Sequence, residues 1–243
     1  MKLARFEFDE ALRPLLERSK RSGAFQYPFS GPQSAKHLIE SVGIPHTEIG
    51  EVHCGGRRVG LDYQVQDGDE VNVRSTPAGR STSGEPRFAL DGHLGRLCSS
   101  LRMLGFDCSY DNDVEDRELA SVAVAEKRYL LTRDRHLLMR KRVLLGYLVR
   151  SLDTNEQLVE VTRRFGLMSM LAPFRRCIRC NTLLEPVEKQ AVLDRLQPLT
   201  RRHFQVFHIC PHCGQVYWKG SHVDRMLQAI DRLNAAAAED RAS

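Results

Sequence analysis

Two short cysteine pairs constrain the fold more than any other feature of this sequence. Cys177-Ile178-Arg179-Cys180 and Cys210-Pro211-His212-Cys213-Gly214 each carry two thiols three positions apart. Such a knuckle turns both sulfurs to one side of a tight loop, and two knuckles complete a tetrahedral shell. The pattern predicts a Cys₄ zinc ribbon. A redox dithiol is the main rival, but two matched pairs in one chain favour metal. Four thiolates close the shell, so the zinc would be structural and would stabilise a lobe too small for a large core. His203, His208 and His212 stand in reserve as ligands. The gap between the pairs is longer than in a short ribbon, so the insert must supply its own strands and a loop. The chain has seven Cys in all; Cys54, Cys98 and Cys108 read as buried thiols.

The compartment follows from the same count. An odd number of cysteines, with no apolar h-region across Met1–Glu10, argues against a secreted disulfide framework. No apolar run approaches the ~18 residues of a membrane span. The expectation is a cytoplasmic protein with no membrane contact, and 42% hydrophobic against 28% charged residues is ordinary globular composition.

Ahead of the knuckles, the chain alternates strand and helix. Arg87-Phe88-Ala89-Leu90 is a strand ending at Asp91. A helix follows with Leu94, Leu97, Cys98, Leu101 and Leu104, closed by Gly105. Phe106–Tyr110, Tyr129–Thr132 and Gly146–Arg150 read as three further strands, ending at Asp111, at Arg133-Asp134 and near Asp153. Between them lie a helix carrying Leu119, Ala120, Val122 and Ala123, and a short basic helix from Arg135 to Arg142. Thr154 and Gln157 look like a capping box for a last helix that Gly166 ends. Repeated β-α units imply a parallel sheet in a three-layer α/β sandwich, with its ligand site outside the carboxyl ends of the strands. Asp91, Asp111, Asp134 and Asp153 sit on that rim, and Asp116 and Glu118 open a helix beside it. Converging carboxylates repel one another unless a divalent cation shares the site.

The first segment reads differently. A strand at Leu3–Phe8, a partner at Phe25–Phe29, a helix from Ser34 to Gly43 and strands around Gly55-Gly56-Arg57-Arg58 and Val71–Val73 look like an α+β β-grasp, or ubiquitin-like, domain. Asp67–Val73 resembles the last turn and strand of small sulfur carriers. Those act through a free C-terminal Gly-Gly, which this segment lacks, so a scaffolding role or a protein partner is the preferred reading. Organisation is therefore expected as 1–75 β-grasp, 76–86 linker, 87–172 α/β domain, 173–233 zinc ribbon with a final helix capped by Ser221, and a tail at 234–243.

Charge sorts along the same boundaries. The net +5 conceals a front that is near neutral, with ten Lys/Arg and eleven Asp/Glu in residues 1–75. Residues 128–179 hold twelve Lys/Arg against four Asp/Glu. A local basic excess is the footprint of a polyanion partner. Around the knuckles, Arg175, Arg176, Arg179, Arg201 and Arg202 offer cations for phosphates, and Tyr217 and Trp218 offer rings for bases.

Several stretches carry a family resemblance. Ala89-Leu90-Asp91-Gly92, Leu104-Gly105-Phe106-Asp107, Leu130-Leu131-Thr132-Arg133-Asp134 and Val216-Tyr217-Trp218-Lys219-Gly220-Ser221-His222, joined to the cysteine pairs, resemble the Mut-seven C-terminal ribonuclease family. Its fold is related to the PIN-domain nucleases. The N-terminal segment resembles the ubiquitin-like extension attached to that family in bacteria. One departure is His93, where family members usually carry a bulky apolar residue. The resemblance implies a metal-dependent ribonuclease using Mg²⁺ or Mn²⁺. Carried over by position, the catalytic set would be Asp91, Asp116 or Glu118, Asp134 and Asp153, with Asp91 and Asp134 as the metal ligands. Arg133 and Arg135 would meet the substrate phosphate. The alternative is an adaptor that binds RNA or the ribosome without catalysis.

Overall fold

The structure is a computed structural model that describes residues 1–79, 84–220 and Gln228. Its elements fall into three groups, and each is built around its own sheet. In the first, β1 (Lys2–Phe8) buries Ala4, Phe6 and Phe8 and turns the residues between them outward, the period of a strand with one packed face. It pairs antiparallel with β2 (Phe25–Phe29). Helix α1 (Ala35–Ser41) starts where Ser34 accepts the His37 N–H at 3.2 Å. Strands β3 (Ile49–Cys54) and β4 (Arg57–Val59) form a hairpin. Its turn is Gly55-Gly56 alone, both at positive φ, while Arg57 and Arg58 belong to β4 rather than to the turn. Strand β5 (Glu70–Ser75) runs parallel to β1, giving the order β2-β1-β5-β3-β4. This is the β-grasp arrangement.

The second group is the parallel sheet. Its elements are β6 (Phe88–Leu90), α2 (Gly95–Met103), β7 (Cys108–Tyr110), α3 (Asp116–Ala125), β8 (Tyr129–Thr132), α4 (Arg135–Leu138), β9 (Gly146–Leu148) and α5 (Thr154–Phe165). All pairings are parallel and the order is β7-β6-β8-β9. Every residue of β6, β8 and β9 is buried, because helices cover both faces. Leu97 and Leu101 of α2 and Val161 and Phe165 of α5 pack on Phe88, Leu90 and Leu131. Leu119 and Ala123 of α3 and Leu137 and Leu138 of α4 pack with Ala89, Leu130 and Leu148. The result is a three-layer sandwich.

Some boundaries differ from the expected ones. Phe106 and Asp107 precede β7, the basic helix stops at Leu138, and Val149 and Arg150 follow β9. The cap of α5 is Asp153 rather than Thr154, since its carboxylate accepts the N–H groups of Asn155 and Glu156 at 2.9 and 3.1 Å. Gln157 turns back to the Ser151 carbonyl instead of closing a capping box.

The β-grasp domain is not a separate bead. Its Phe6, Leu12, Ile39 and Ile44 belong to one apolar cluster with the α3–α4 side of the parallel sheet. Polar ties reinforce the join. Glu48, which is 4% exposed, accepts the Leu148 N–H at 2.8 Å and pairs with Arg150 at 3.1 Å. Burial pushes the Glu48 carboxyl upward, against the pull of the Leu148 N–H and of Arg150. Pro77 and Gly79 then lie against Arg164 of α5.

The third group holds the cysteines. Strands β10 (Glu185–Val187), β11 (Phe207–Ile209) and β12 (Val216–Trp218) form an antiparallel sheet in the order β10-β11-β12. Helices α6 (Lys189–Val192) and α7 (Pro198–His203) fill the insert between the knuckles. The core is small: Val192, Leu196, Phe207 and Val216. Arg102 of α2 anchors this lobe. Its guanidinium donates to the Cys108 carbonyl at the start of β7 and to the carbonyls of Ile178 and Arg179 in the first knuckle, at 2.7–3.0 Å. The final helix expected after Ser221 and the tail lie outside the described residues, as do residues 80–83.

Candidate functional site

The strand order locates the site. From β6 the chain moves to β7 on one side, then returns to β8 on the other, so the crevice opens between the carboxyl ends of β6 and β8. Asp91 directly follows β6 and Asp134 follows β8 by two residues. Thr132, fully buried as the last residue of β8, joins them. Its Oγ1 donates to Asp91 Oδ2 at 2.7 Å and accepts the Asp134 N–H at 2.9 Å. One hydroxyl thereby fixes the Asp91 carboxylate and the start of the following loop. Asp91 Oδ1 also accepts the His93 N–H and lies 3.2 Å from the His93 ring, which is largely exposed. Asp134 caps α4 through the His136 N–H at 2.8 Å.

Neighbouring groups feel this rim. Burial raises the Tyr110 phenol above its ordinary range, with further lifts from Cys98, Asp113, Asp91 and Asp111. The Tyr110 hydroxyl donates to the Gly92 carbonyl at 2.9 Å and closes the floor of the loop. A Cβ on Gly95 would lie 2.5 Å from that hydroxyl, so a larger residue at the start of α2 would have to displace Tyr110 from its bond to Gly92. His93 causes no packing defect where the family's bulky residue would stand. Its side chain points to solvent while Leu94 and Leu97 bury beside it.

The other expected site residues are placed apart from this pair. Asp116 opens α3 and pairs with Arg140 at 3.4 Å, both well exposed. Glu118 lies in the same first turn. Asp153 is held by its cap on α5. Asp111 accepts the Asp113 N–H in the acidic turn. Arg133 is exposed beside Asp134. Arg135 has a different use from the expected one: its guanidinium donates to the Leu15 carbonyl at 2.8 Å, and so ties α4 to the β-grasp domain instead of facing a phosphate. Thr132 had a legible signal, a polar residue closing an otherwise apolar buried strand.

The four knuckle cysteines form the second centre. Among the described residues they are the one group of three or more His, Cys, Asp or Glu whose ligand atoms all lie within 4.8 Å of one another. Cys177 and Cys213 sulfurs are 3.5 Å apart, and those of Cys180 and Cys210 3.4 Å. The knuckles share one hydrogen-bond plan. Cys177 N–H donates to the Thr182 carbonyl and Cys210 N–H to that of Gln215. Asn181 and Gly214, each directly after a second cysteine, take positive φ. The thiols are unequal. Burial pushes Cys180 up, yet hydrogen bonds from Thr182 and from Cys210 and Cys177 bring it down to about 6. For Cys213, the Gln215 backbone N–H pulls down, but burial and the other three thiols push it up to about 12. Four thiolates cannot share this space without a cation, so the donor set suits a metal ion. His208 instead stacks on Phe174, with ring centroids 6.1 Å apart.

A parallel α/β sandwich preceded by a β-grasp sheet and followed by a cysteine lobe defines the class of protein. The model of the Mut7-C RNAse domain matches residues 86–230, and that of the Mut7-C ubiquitin domain matches residues 1–80. The chain belongs to the Mut7-C RNase family. Among solved structures, the small archaeal modifier protein 1 of H. volcanii is similar over 32% of this chain and all of its own, at 13% identity and a TM-score of 0.26. No curated protein is significantly similar to the chain. No helix among the described residues is long and apolar enough to cross a membrane.

Proposed function

We propose that this protein is a metal-dependent ribonuclease that hydrolyses RNA phosphodiesters at the Asp91–Asp134 crevice, with structural zinc in the cysteine lobe. The observation that carries the reading is the buried Thr132 hydroxyl, which holds the Asp91 carboxylate and the Asp134 backbone N–H at the switch point of a parallel sheet. Two carboxylates suffice for Mg²⁺ or Mn²⁺, because Mg²⁺ keeps several waters and completes its shell with substrate phosphate oxygens. A bound ion would polarise the phosphate and lower the pKa of a water. The chain's own residues do the rest. Asp91 and Asp134 hold the ion, Thr132 keeps Asp91 in one orientation, and exposed Arg133 draws in the phosphate. Asp116 and Asp153 serve the rim as ion-pair and cap residues. Cys177, Cys180, Cys210 and Cys213 hold the zinc, whose closed shell leaves it outside the chemistry.

The test is cleavage of end-labelled RNA in Mn²⁺ by wild type, Asp91→Asn and Asp134→Asn. Loss of cleavage in both variants supports the site; equal cleavage by all three overturns it. One observation favours the second reading, an RNA-binding adaptor: Asp91, Asp134 and Asp153 each cap a helix, a role that needs no metal. Calorimetric Mn²⁺ titration separates the two, since an adaptor shows no binding that depends on Asp91.

A further inference from the structure

A cleft of about 290 Å³ lies between the far end of α2 and the cysteine lobe, lined by Met103, Phe174, Arg176, Leu184, Tyr217 and Trp218 among others. Its size is at the lower bound of small-ligand sites, near ~300 Å³, and its walls are mostly apolar. Three aromatic rings and one cation converge there. Phe174 reaches it from a left-handed backbone conformation, φ 65°, which bulky residues rarely adopt. Trp218 packs against Phe204 and Phe207 of the lobe's own core and also borders the cleft. Arg176 is engaged through its two terminal nitrogens, with Asn181 and Asp107, but its buried Nε has no acceptor.

The cleft is connected to the crevice by one helix. Asp91 lies just ahead of α2, and Met103 is its last residue. Arg96, Ser100 and Met103 follow at spacings of four and three, so they share one face. Arg96 is exposed and Ser100 half-buried. From Arg96 to Met103 the rise is ~10 Å at ~1.5 Å per residue.

We propose that this cleft binds a nucleobase of single-stranded RNA. The base stacks on the Phe174 and Trp218 rings. The strand runs along the Arg96–Ser100–Met103 face toward the carboxylates. This assignment rests on the ribonuclease reading and adds to it a substrate form, unpaired RNA, and a subsite remote from the chemistry. The occupant follows from the wall. Sequence-tolerant single-strand sites are built on aromatic platforms with cations beside them, here the Phe174 and Trp218 rings with Arg96 on the helix face, and a double helix keeps its bases inside the stack.

Trp218 is the chain's single tryptophan, so its emission reports on the cleft alone. The experiment titrates full-length Asp91→Asn protein, which leaves RNA intact, with a single-stranded RNA octamer and with an abasic ribose-phosphate octamer. The RNA is expected to quench Trp218 emission. The abasic octamer should bind roughly 10-fold more weakly without quenching, the loss of about one stacked base. Phe174→Ala should bring RNA affinity down by a similar factor. Equal affinity for the two octamers with an unresponsive Trp218 overturns the proposal and leaves the cleft to the chain's own C-terminal segment. The comparison of octamers alters no residue of the cleft, so misfolding of Phe174→Ala cannot mask the answer. Cleavage by protein with Asp91 intact is read separately. Quenching without any cleavage would retain the base site and reject the nuclease; cleavage without base dependence would do the reverse.

Discussion

The cysteine lobe and the acidic crevice treat their donor atoms in opposite ways. In the lobe, four side chains from two loops bring every sulfur within 4.8 Å of the others. In the crevice, a threonine hydroxyl holds the Asp91 carboxylate and the Asp134 backbone N–H, while Asp116 is held by an ion pair and Asp153 by its cap. The difference separates a closed structural centre from an open one. A shell closed by four thiolates can hold a lobe together; on the proposed reading the crevice has to leave room for water and phosphate.

The largest effect that can break this contrast lies in the lobe. Its apolar core is four buried residues, too few to fold by themselves. Structural zinc contributes ~10–16 kcal/mol of apparent binding free energy in small domains. Cys177→Ser is therefore expected to abolish stoichiometric zinc and expose residues of the lobe to protease, while the rest of the chain still unfolds cooperatively. Zinc content and limited proteolysis measure both. Full retention of metal by the variant would remove the closed-shell half of the comparison.

The crevice comes next. Asp91→Asn and Asp134→Asn should each reduce RNA cleavage at least ~100-fold, because a lost ligand forfeits several kcal/mol of charge stabilisation. Stability should change by less than ~1 kcal/mol, since Asn caps a helix about as well as Asp. Thr132→Val leaves both carboxylates present and removes only the hydroxyl bridge from the Asp91 carboxylate to the Asp134 N–H, for a ~10–100-fold loss. A Thr132→Val variant as active as wild type would mean that the bridge is purely structural.

Legibility divided along the same line. Short-range patterns carried the cysteine centre, since a Cys-x-x-Cys spacing fixes its own loop. They also carried the β1 alternation and the strand-end position of Asp91. What escaped was set by tertiary contacts. Arg135 reads as a basic rim residue, and only the packing of α4 on the β-grasp domain sends it to Leu15. Thr154 looks like a cap because Gln157 sits three residues on, yet Asp153 competes one residue earlier and takes both N–H groups. The shared core of the first two domains was hidden behind a linker whose composition suggested separation.

That shared core offers a smaller test. Glu48 is raised by burial, so the folded state takes up its proton more readily than the unfolded chain. Its contribution is favourable below the ordinary glutamate value of 4.5 and is lost as pH rises through the higher folded pKa. Glu48→Gln keeps an acceptor for the Leu148 N–H and carries no charge. Urea unfolding between pH 4 and 8 should show wild type losing stability with rising pH relative to the variant. Parallel curves would mean that Arg150 fully compensates the buried charge.

The smallest effect decides which half of the comparison Asp153 belongs to. As a cap it accepts two N–H groups, and α5 behind it packs Leu158, Val161 and Phe165 against the sheet. Asp153→Ala should cost ~1 kcal/mol of stability, and Asp153→Asn only a few tenths. Neither should lower cleavage at temperatures where both remain folded. Equilibrium unfolding and cleavage rates on the same preparations give the two numbers together. If Asp153→Asn keeps its stability and loses cleavage as steeply as Asp91→Asn, the carboxylate acts on the ion. The crevice would then hold three ligands and stand closer to the cysteine centre than its present geometry suggests.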